Sequence, residues 1–179
     1  RKVDVEDLLG RDVVELDTTG LMHLIEHQSV MVSGAGGSIG SELCRQILKY
    51  NPANLVCFDI SEYALYNLEQ ELNLFKCHIK LIYLTGDVKN SNRVKQVLSR
   101  YQPSIVFHAA AYKHVPLMEN GNVWEALSNN AVGTYTLAQA CKDFNVAKFV
   151  LISTDKAVNP TNVMGASKRL GEMICQGLQ

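Results

Sequence analysis

The run Ser33-Gly34-Ala35-Gly36-Gly37-Ser38-Ile39-Gly40 follows directly on the apolar stretch Val30-Met31-Val32. Such a run takes a buried strand through a tight turn and straight into a helix. Glycines at 34, 37 and 40 give a G-x-x-G-x-x-G spacing, which meets the G-x-G-x-x-G fingerprint only loosely because Ile39 stands where its third glycine would fall. The physical demand is the same in both versions. The turn needs positive φ, a backbone that approaches a pyrophosphate with no Cβ in the way, and helix N–H groups aimed at the anion. Ser38 adds a hydroxyl donor. Beyond the turn, Ile39, Leu43 and Ile47 recur at helical spacing beside Cys44 and Leu48, the apolar face of a helix laid on a sheet. The run points to a dinucleotide; a glycine loop that only makes a turn is the competing reading.

From Ser29 onward, short apolar runs read as strands at 30–33, 55–59, 80–84, 105–108 and 149–153. Helical patterns at 38–49, 62–73, 91–100, around 117–144 and from 163 separate them. The apolar runs are continuous rather than alternating, which suits parallel strands covered on both faces. The expected class is α/β, a doubly wound parallel sheet forming one Rossmann-like NAD(P)-binding domain over 29–179. Asn51-Pro52 and Tyr101-Gln102-Pro103 each stop a helix before the next strand. Residues 1–28 read as a lead-in arm, with Thr18-Thr19 capping a short helix through Ile25.

At 179 residues, 47% hydrophobic and 20% charged, the chain has the make-up of an ordinary globular domain. A net charge of -1 offers no basic field for nucleic acid or anionic lipid, so phosphate recognition must be local. Cysteines at 44, 57, 77, 141 and 175 form no C-x-x-C pair and read as core thiols of a reducing compartment. His23, His27 and His78 have no metal-ligand spacing, and no metal is expected. No apolar run approaches the roughly eighteen residues of a membrane span, and no signal peptide opens the chain. A first residue of Arg and a last segment that still reads as helix suggest a piece of a longer protein.

Asp59 ends the second strand, where a carboxylate can accept from the ribose hydroxyls of an adenosine; this favours NAD over NADP. A helix cap is the alternative, and Ser61 is placed to serve as one too. Gly86-Asp87-Val88 follows the third strand, where Asp87 either meets the adenine amino group or starts a helix. The fourth strand runs into His108-Ala109-Ala110-Ala111, small side chains that let a dinucleotide lie close or that only serve packing.

Gly34-x-x-Gly37-x-x-Gly40, Asp59, Asp87, the His108-Ala-Ala-Ala strand end, Asn130 and Lys168 together resemble the extended short-chain dehydrogenase/reductase superfamily. Within it, Gly34 to Leu43, Phe58-Asp-Ile-Ser-Glu62, Ala110-Ala-Tyr-Lys-His-Val-Pro116 and Ser153-Thr-Asp-Lys-Ala-Val-Asn-Pro160 are similar to the bacterial UDP-N-acetylglucosamine 4,6-dehydratases of polysaccharide biosynthesis. Asp7-Leu-Leu-Gly-Arg-Asp12 is similar to the segment before the catalytic domain of their large membrane-anchored branch. The resemblance implies a redox-neutral cycle. The sugar C4 hydroxyl is oxidised, the C5 proton removed, the C6 hydroxyl expelled as water, and the hydride returned to C6.

By the same resemblance, Asp155 is the acid toward the C6 hydroxyl, Lys156 the C5 base and Thr154 the partner of the C4 oxygen. A base role near neutrality requires the Lys156 pKa to be lowered, by burial or by positive charge nearby. A solvated Asp-Lys pair on a loop is the plain alternative. Lys168 would bind the nicotinamide ribose. Met164 departs from the superfamily's Tyr-x-x-x-Lys pair and cannot carry a proton, though it resembles the membrane-anchored branch. Ala166, Leu170, Met173, Ile174 and Gly177 form a stripe on the opposite face, which argues against Met164 as core.

Lys113 and His114 could contact sugar hydroxyls or diphosphate, or could be a loop lysine and a packed histidine. Asn130 resembles the family asparagine that holds a water or backbone near the cofactor, and Trp124 reads as a packing anchor. The implied partner is a UDP-sugar. The resemblance also implies a homo-oligomer paired through the helices near 125–144 and 164–177, and a whole protein in the cytoplasm at the inner face of a bacterial membrane. A nucleotide-sugar epimerase of the same superfamily and a non-catalytic NAD-binding module are the other readings. Residues 1–179 alone are expected to bind dinucleotide without turning over sugar.

Overall fold

The computed structural model describes residues 17–75 and 78–179. Strands β1 (Ser29–Ser33), β2 (Asn54–Asp59), β3 (Lys80–Thr85), β4 (Ile105–His108) and β5 (Lys148–Leu151) form one sheet. Their order is β3-β2-β1-β4-β5, and every pairing is parallel. The connections carry helices α1 (Thr18–Ile25), α2 (Ser38–Leu48), α3 (Glu62–Leu72) and α4 (Ser91–Tyr101). After β4 come α5 (Val115–Glu119), α6 (Val123–Leu127), a π-helical turn (Ser128–Val132) and α7 (Gly133–Asp143). A 3-10 turn (Asp155–Ala157) and α8 (Val163–Leu178) follow β5. The chain grows outward from β1 to β3 and then returns to the other side of β1, so a crevice opens between the carboxyl ends of β1 and β4.

The continuous apolar runs are explained by both faces of the sheet being covered. Val30, Val32, Leu55 and Cys57 point to the face packed by Ile25, Cys44, Ile47, Leu65 and Leu68 of α1 to α3. Met31, Val56, Phe58 and Val106 point to the face packed by Val94, Val97, Leu98, Leu137 and Cys141 of α4 and α7. Each such aliphatic side chain contributes about 1.5–3 kcal/mol when fully buried. Short polar side chains set the helix starts: Ser61 accepts from the Ala64 N–H, Asn90 from Arg93 and Asn162 from Gly165. Left-handed residues at Asn51 and Gln102, each followed by proline, close the connections from α2 and α4.

Several expectations are corrected. Asp17, not Thr18 or Thr19, caps α1, its carboxylate accepting from the Gly20 N–H at 2.9 Å. The lead-in arm up to residue 16, and Cys77, lie outside the described residues. The helical region around 117–144 is broken, because the chain leaves α5 through Gly121 at φ +76 and later widens into the π-helical turn. β5 ends at Leu151, before Ser153. Trp124 is no anchor, being 71% exposed on the short α6. Most consequentially, α8 buries Met164, Gly165, Ser167, Lys168 and Gly171, while Leu170 and Met173 face outward. Met164 is 4% exposed and packs with Met118 and Ala126. The apolar stripe on α8 is its outer face, so the periodicity of the apolar residues does not mark the buried side.

Among the described residues no helix is long and apolar enough to cross a membrane. Leu98 is fully buried between α4 and the sheet. Leu98→Ala is expected to cost about 2–5 kcal/mol, read as a lower urea midpoint at unchanged slope.

Candidate functional site

The glycine turn is built from backbone contacts. Gly34 adopts φ +73, and its N–H donates to the Phe58 carbonyl at 2.8 Å. A Cβ at Gly40 would lie 1.9 Å from the Gly34 oxygen, and one at Gly34 would lie 2.5 Å from the Ala110 nitrogen. The end of β1, the start of α2 and the exit from β4 therefore meet with no room for side chains. Gly37 is the least constrained of the three spaced glycines, with only the Gly34 oxygen near, 3.3 Å from a Cβ there. Gly36, which the 34-37-40 spacing passes over, is the tight one. A Cβ there would lie 2.5 Å from the Ala64 Cβ, and its N–H donates to Asp59 Oδ2 at 2.8 Å. Nothing in the local spacing signals this, because the constraint comes from α3. No side chain caps α2, which leaves its amino-terminal turn open to an anion.

Two clefts adjoin at the carboxyl edge of the sheet. The first, of about 240 Å³, lies between the glycine turn and Asp59, Ile60, Asp87 and Val88, with Ala109 to Ala111 as its floor. The second, of about 220 Å³, is bounded by Ile39, Lys113, Thr154, Lys156, Met164 and Lys168 and shares Ala109 and Ala111 with the first. Lys113 bridges toward the turn, its Nζ donating to Ser38 Oγ at 2.8 Å. His114 is exposed at the start of α5 and lines neither cleft.

Both readings of Asp59 have a footing in the geometry. It lines the first cleft, yet Oδ1 accepts from the Ser61 N–H at 2.9 Å while Oδ2 accepts from the Gly36 N–H. Asp87 lines the same cleft, turns its own chain through the Lys89 N–H at 2.8 Å and pairs with the Lys89 ammonium at 3.4 Å. Val88 is buried behind it.

The second cleft gathers the polar residues that follow β5. Thr154 donates from its hydroxyl to Asp155 Oδ1 at 2.9 Å, and Lys156 Nζ stands 3.5 Å from the same oxygen. The Thr154 hydroxyl, and after it the Lys156 ammonium, hold the Asp155 carboxyl below the ordinary carboxylate range. The Asp155 side chain is 83% exposed and does not line the cleft, so it reaches the cleft only through Thr154. Lys168 is buried, donates to the Ile152 carbonyl, and has its pKa lowered by that burial although the Glu172 charge opposes the shift. Met164 contributes an apolar wall one helical turn before Lys168.

Asn130 supports the clefts from behind rather than lining them. Its Oδ1 accepts from the Tyr112 N–H at 2.8 Å and its Nδ2 donates to the Tyr112 carbonyl at 3.0 Å, fixing the loop that leaves β4. His108 is the residue that sequence reasoning treated only as part of a strand end. It is buried between Ser33 and Thr134, and desolvation, helped by the Lys168 charge, lowers its pKa to about 3.

The polysaccharide biosynthesis protein family matches residues 30–179 of this chain. A capsular polysaccharide biosynthesis protein CapD of Staphylococcus aureus is 48% identical over 99% of the chain, which spans 30% of that relative's length. A UDP-glucose 4-epimerase of Rickettsia typhi is 33% identical over 82% of the chain and 42% of its own length. The crystal structure of the Bordetella bronchiseptica enzyme WbmH in complex with NAD+ has the same fold, with a TM-score of 0.70 and 22% identity over 84% of this chain and 52% of that structure.

Gly40→Ala drives a Cβ into the Gly34 carbonyl and is expected to weaken dinucleotide binding at least about tenfold by calorimetry. A second outcome concerns acid. The unfolded chain protonates His108 near about pH 6.5, whereas the folded chain resists until about 3. Stability is therefore lost as pH falls through that window, and His108 adds no slope above it. Urea midpoints measured from pH 7 downward should fall less steeply in His108→Gln.

Proposed function

Since the chain belongs to the polysaccharide biosynthesis protein family, we propose that it is the dinucleotide-binding part of an NAD-using nucleotide-sugar enzyme, a UDP-N-acetylglucosamine 4,6-dehydratase. The observation that carries this reading is the placement of Thr154, Lys156, Met164 and Lys168 around one cleft that opens directly onto the glycine cradle. The cradle fits a dinucleotide: its floor is closed to any Cβ at Gly34 and Gly40, and α2 presents an uncapped amino terminus. Asp59, lining the first cleft, suits unphosphorylated ribose hydroxyls and hence NAD. When bound, NAD supplies hydride acceptance from C4 and its return to C6.

The chain's own residues supply the proton chemistry. Thr154 holds the C4 oxygen and passes its proton toward the Asp155 carboxylate, to which its hydroxyl is already hydrogen-bonded at 2.9 Å. Met164 cannot take that proton, which leaves the Thr154-Asp155 pair as the route. Lys156, lining the cleft, removes the C5 proton, made acidic by the C4 ketone. Asp155, once protonated, returns that proton through the Thr154 hydroxyl to the departing C6 hydroxyl, and Lys156 gives its proton back to C5, so the cycle closes with loss of one water. Lys168, which lines the second cleft, would hold the nicotinamide ribose. Lys113, tied to Ser38 beside the turn, neutralises diphosphate. Tyr135 on α7 and Leu170 and Met173 on α8 present exposed apolar side chains, which supports pairing of two copies through these helices.

The complete protein, incubated with UDP-N-acetylglucosamine and NAD, should yield a product lighter by one water. A product of unchanged mass would instead identify a 4-epimerase, and unchanged substrate with bound NAD a non-catalytic module. Lys156→Ala should lower kcat by about 10²–10⁴ while leaving NAD affinity unaltered.

A further inference from the structure

A line of buried polar side chains crosses the domain behind the two clefts, from the last residue of β1 to the first turns of α8. Ser33 Oγ lies 2.7 Å from His108 Nδ1, and His108 Nε2 lies 3.0 Å from Thr134 Oγ1. The Thr134 hydroxyl donates to the Asn130 carbonyl at 2.6 Å. Asn130 Nδ2 donates to Ser167 Oγ at 2.9 Å, and the Ser167 hydroxyl donates to the Met164 carbonyl at 2.7 Å. All five side chains are buried.

The direction of every bond is fixed by backbone groups whose roles are not interchangeable. The Tyr112 N–H can only donate and its carbonyl can only accept, so the Asn130 amide has one orientation and Nδ2 faces Ser167. Ser167 must then accept from Asn130 and spend its own proton on Met164. The Asn130 carbonyl likewise claims the single Thr134 proton, so Thr134 offers His108 only lone pairs. Nε2 must carry the imidazole proton, and Nδ1 must accept from Ser33. The other acceptor near the Ser33 hydroxyl, the Phe107 carbonyl, lies at a longer 3.5 Å. The opposite tautomer would set two acceptors face to face in a buried site, at the full cost of an unsatisfied group.

We propose that His108 is a positioning residue, held as the Nε2–H tautomer, that links the strand leading into the glycine turn to α8 and thereby seats Met164 and Lys168 against the second cleft. Ser33 and His108 are register partners on adjacent strands, so one end of the chain is as rigid as the sheet. The other end is the Met164 carbonyl, one helical turn before Lys168. The low pKa of His108 agrees with a ring that stays neutral while it donates at Nε2. Only the turnover comparison rests on the proposed dehydratase reading.

The test uses the complete protein and three substitutions. Nitrogen NMR of labelled histidine should show Nε2 protonated and Nδ1 bare in His108; the reverse tautomer or an imidazolium near neutral pH overturns the proposal. His108→Phe keeps the volume and loses both contacts, whereas His108→Gln keeps a donor near Nε2 and His108→Asn keeps only an acceptor near Nδ1. Amide hydrogen exchange over 163–171 should quicken at least about tenfold in the Phe and Asn variants. It should stay near the wild-type rate in the Gln variant, with residues 38–48 unchanged in all three. Turnover with saturating NAD should follow the same order. Uniformly raised exchange in all three variants, or turnover that fails to follow the exchange order, reduces His108 to a general core residue. If the wild-type protein converts no sugar, the dehydratase reading fails, and the tautomer and exchange results still decide this one.

Discussion

The carbonyl of Gly34 occupies the space where any side chain on Gly40 would begin, 1.9 Å from that imaginary Cβ. This approach of strand to helix aims α2 at the crevice between β1 and β4, because the helix can start only where the strand's last peptide lets it. Everything that follows inherits that placement. The Phe58 carbonyl takes the Gly34 N–H, Ala110 lies against the turn from the β4 side, and the floor of the first cleft is therefore made of backbone. A ligand there meets peptide groups fixed by the sheet, and little ordering entropy remains to be lost when it binds.

The second cleft is organised by different means. Its walls come from loops after β4 and β5 and from α8, beside a small apolar cluster of Met118, Ala126 and Met164. Asn130 compensates with hydrogen bonds to both the N–H and the carbonyl of Tyr112, holding the loop as another strand would. The π-helical turn that contains Asn130 is one residue wider than an α-helical turn. The two clefts are thus held differently, the first by backbone fixed to the sheet and the second by side-chain hydrogen bonds and a small apolar cluster.

How much of this was legible in the sequence follows from the range of each constraint. The five strands and their flanking helices were readable because short continuous apolar runs bounded by Pro and Gly report local burial. So was the turn, since Gly34 and Gly40 are constrained by each other. Gly36 escaped because its neighbour is Ala64, on a helix beyond the next strand. The buried face of α8 escaped for a related reason. It is composed of Gly165, Ser167, Lys168 and Gly171, small or polar residues that periodicity assigns to solvent, whereas Leu170 and Met173 point outward. His108 was visible as a letter in a strand end, but its two partners lie on β1 and α7. The roles of Thr154, Asp155 and Lys156 came from resemblance to known enzymes and from no property of the local sequence.

Asp59 carries one further implication. Its two oxygens already tie Gly36 of the turn to Ser61 at the start of α3, while the same residue lines the first cleft. On the proposed reading of Asp59 as the ribose ligand, cofactor preference and turn geometry are written into a single side chain. A lineage drifting toward a phosphorylated ribose cannot simply exchange the acid for a base; it must first find another way to hold Gly36, and until then selection on the turn conserves the preference as a by-product.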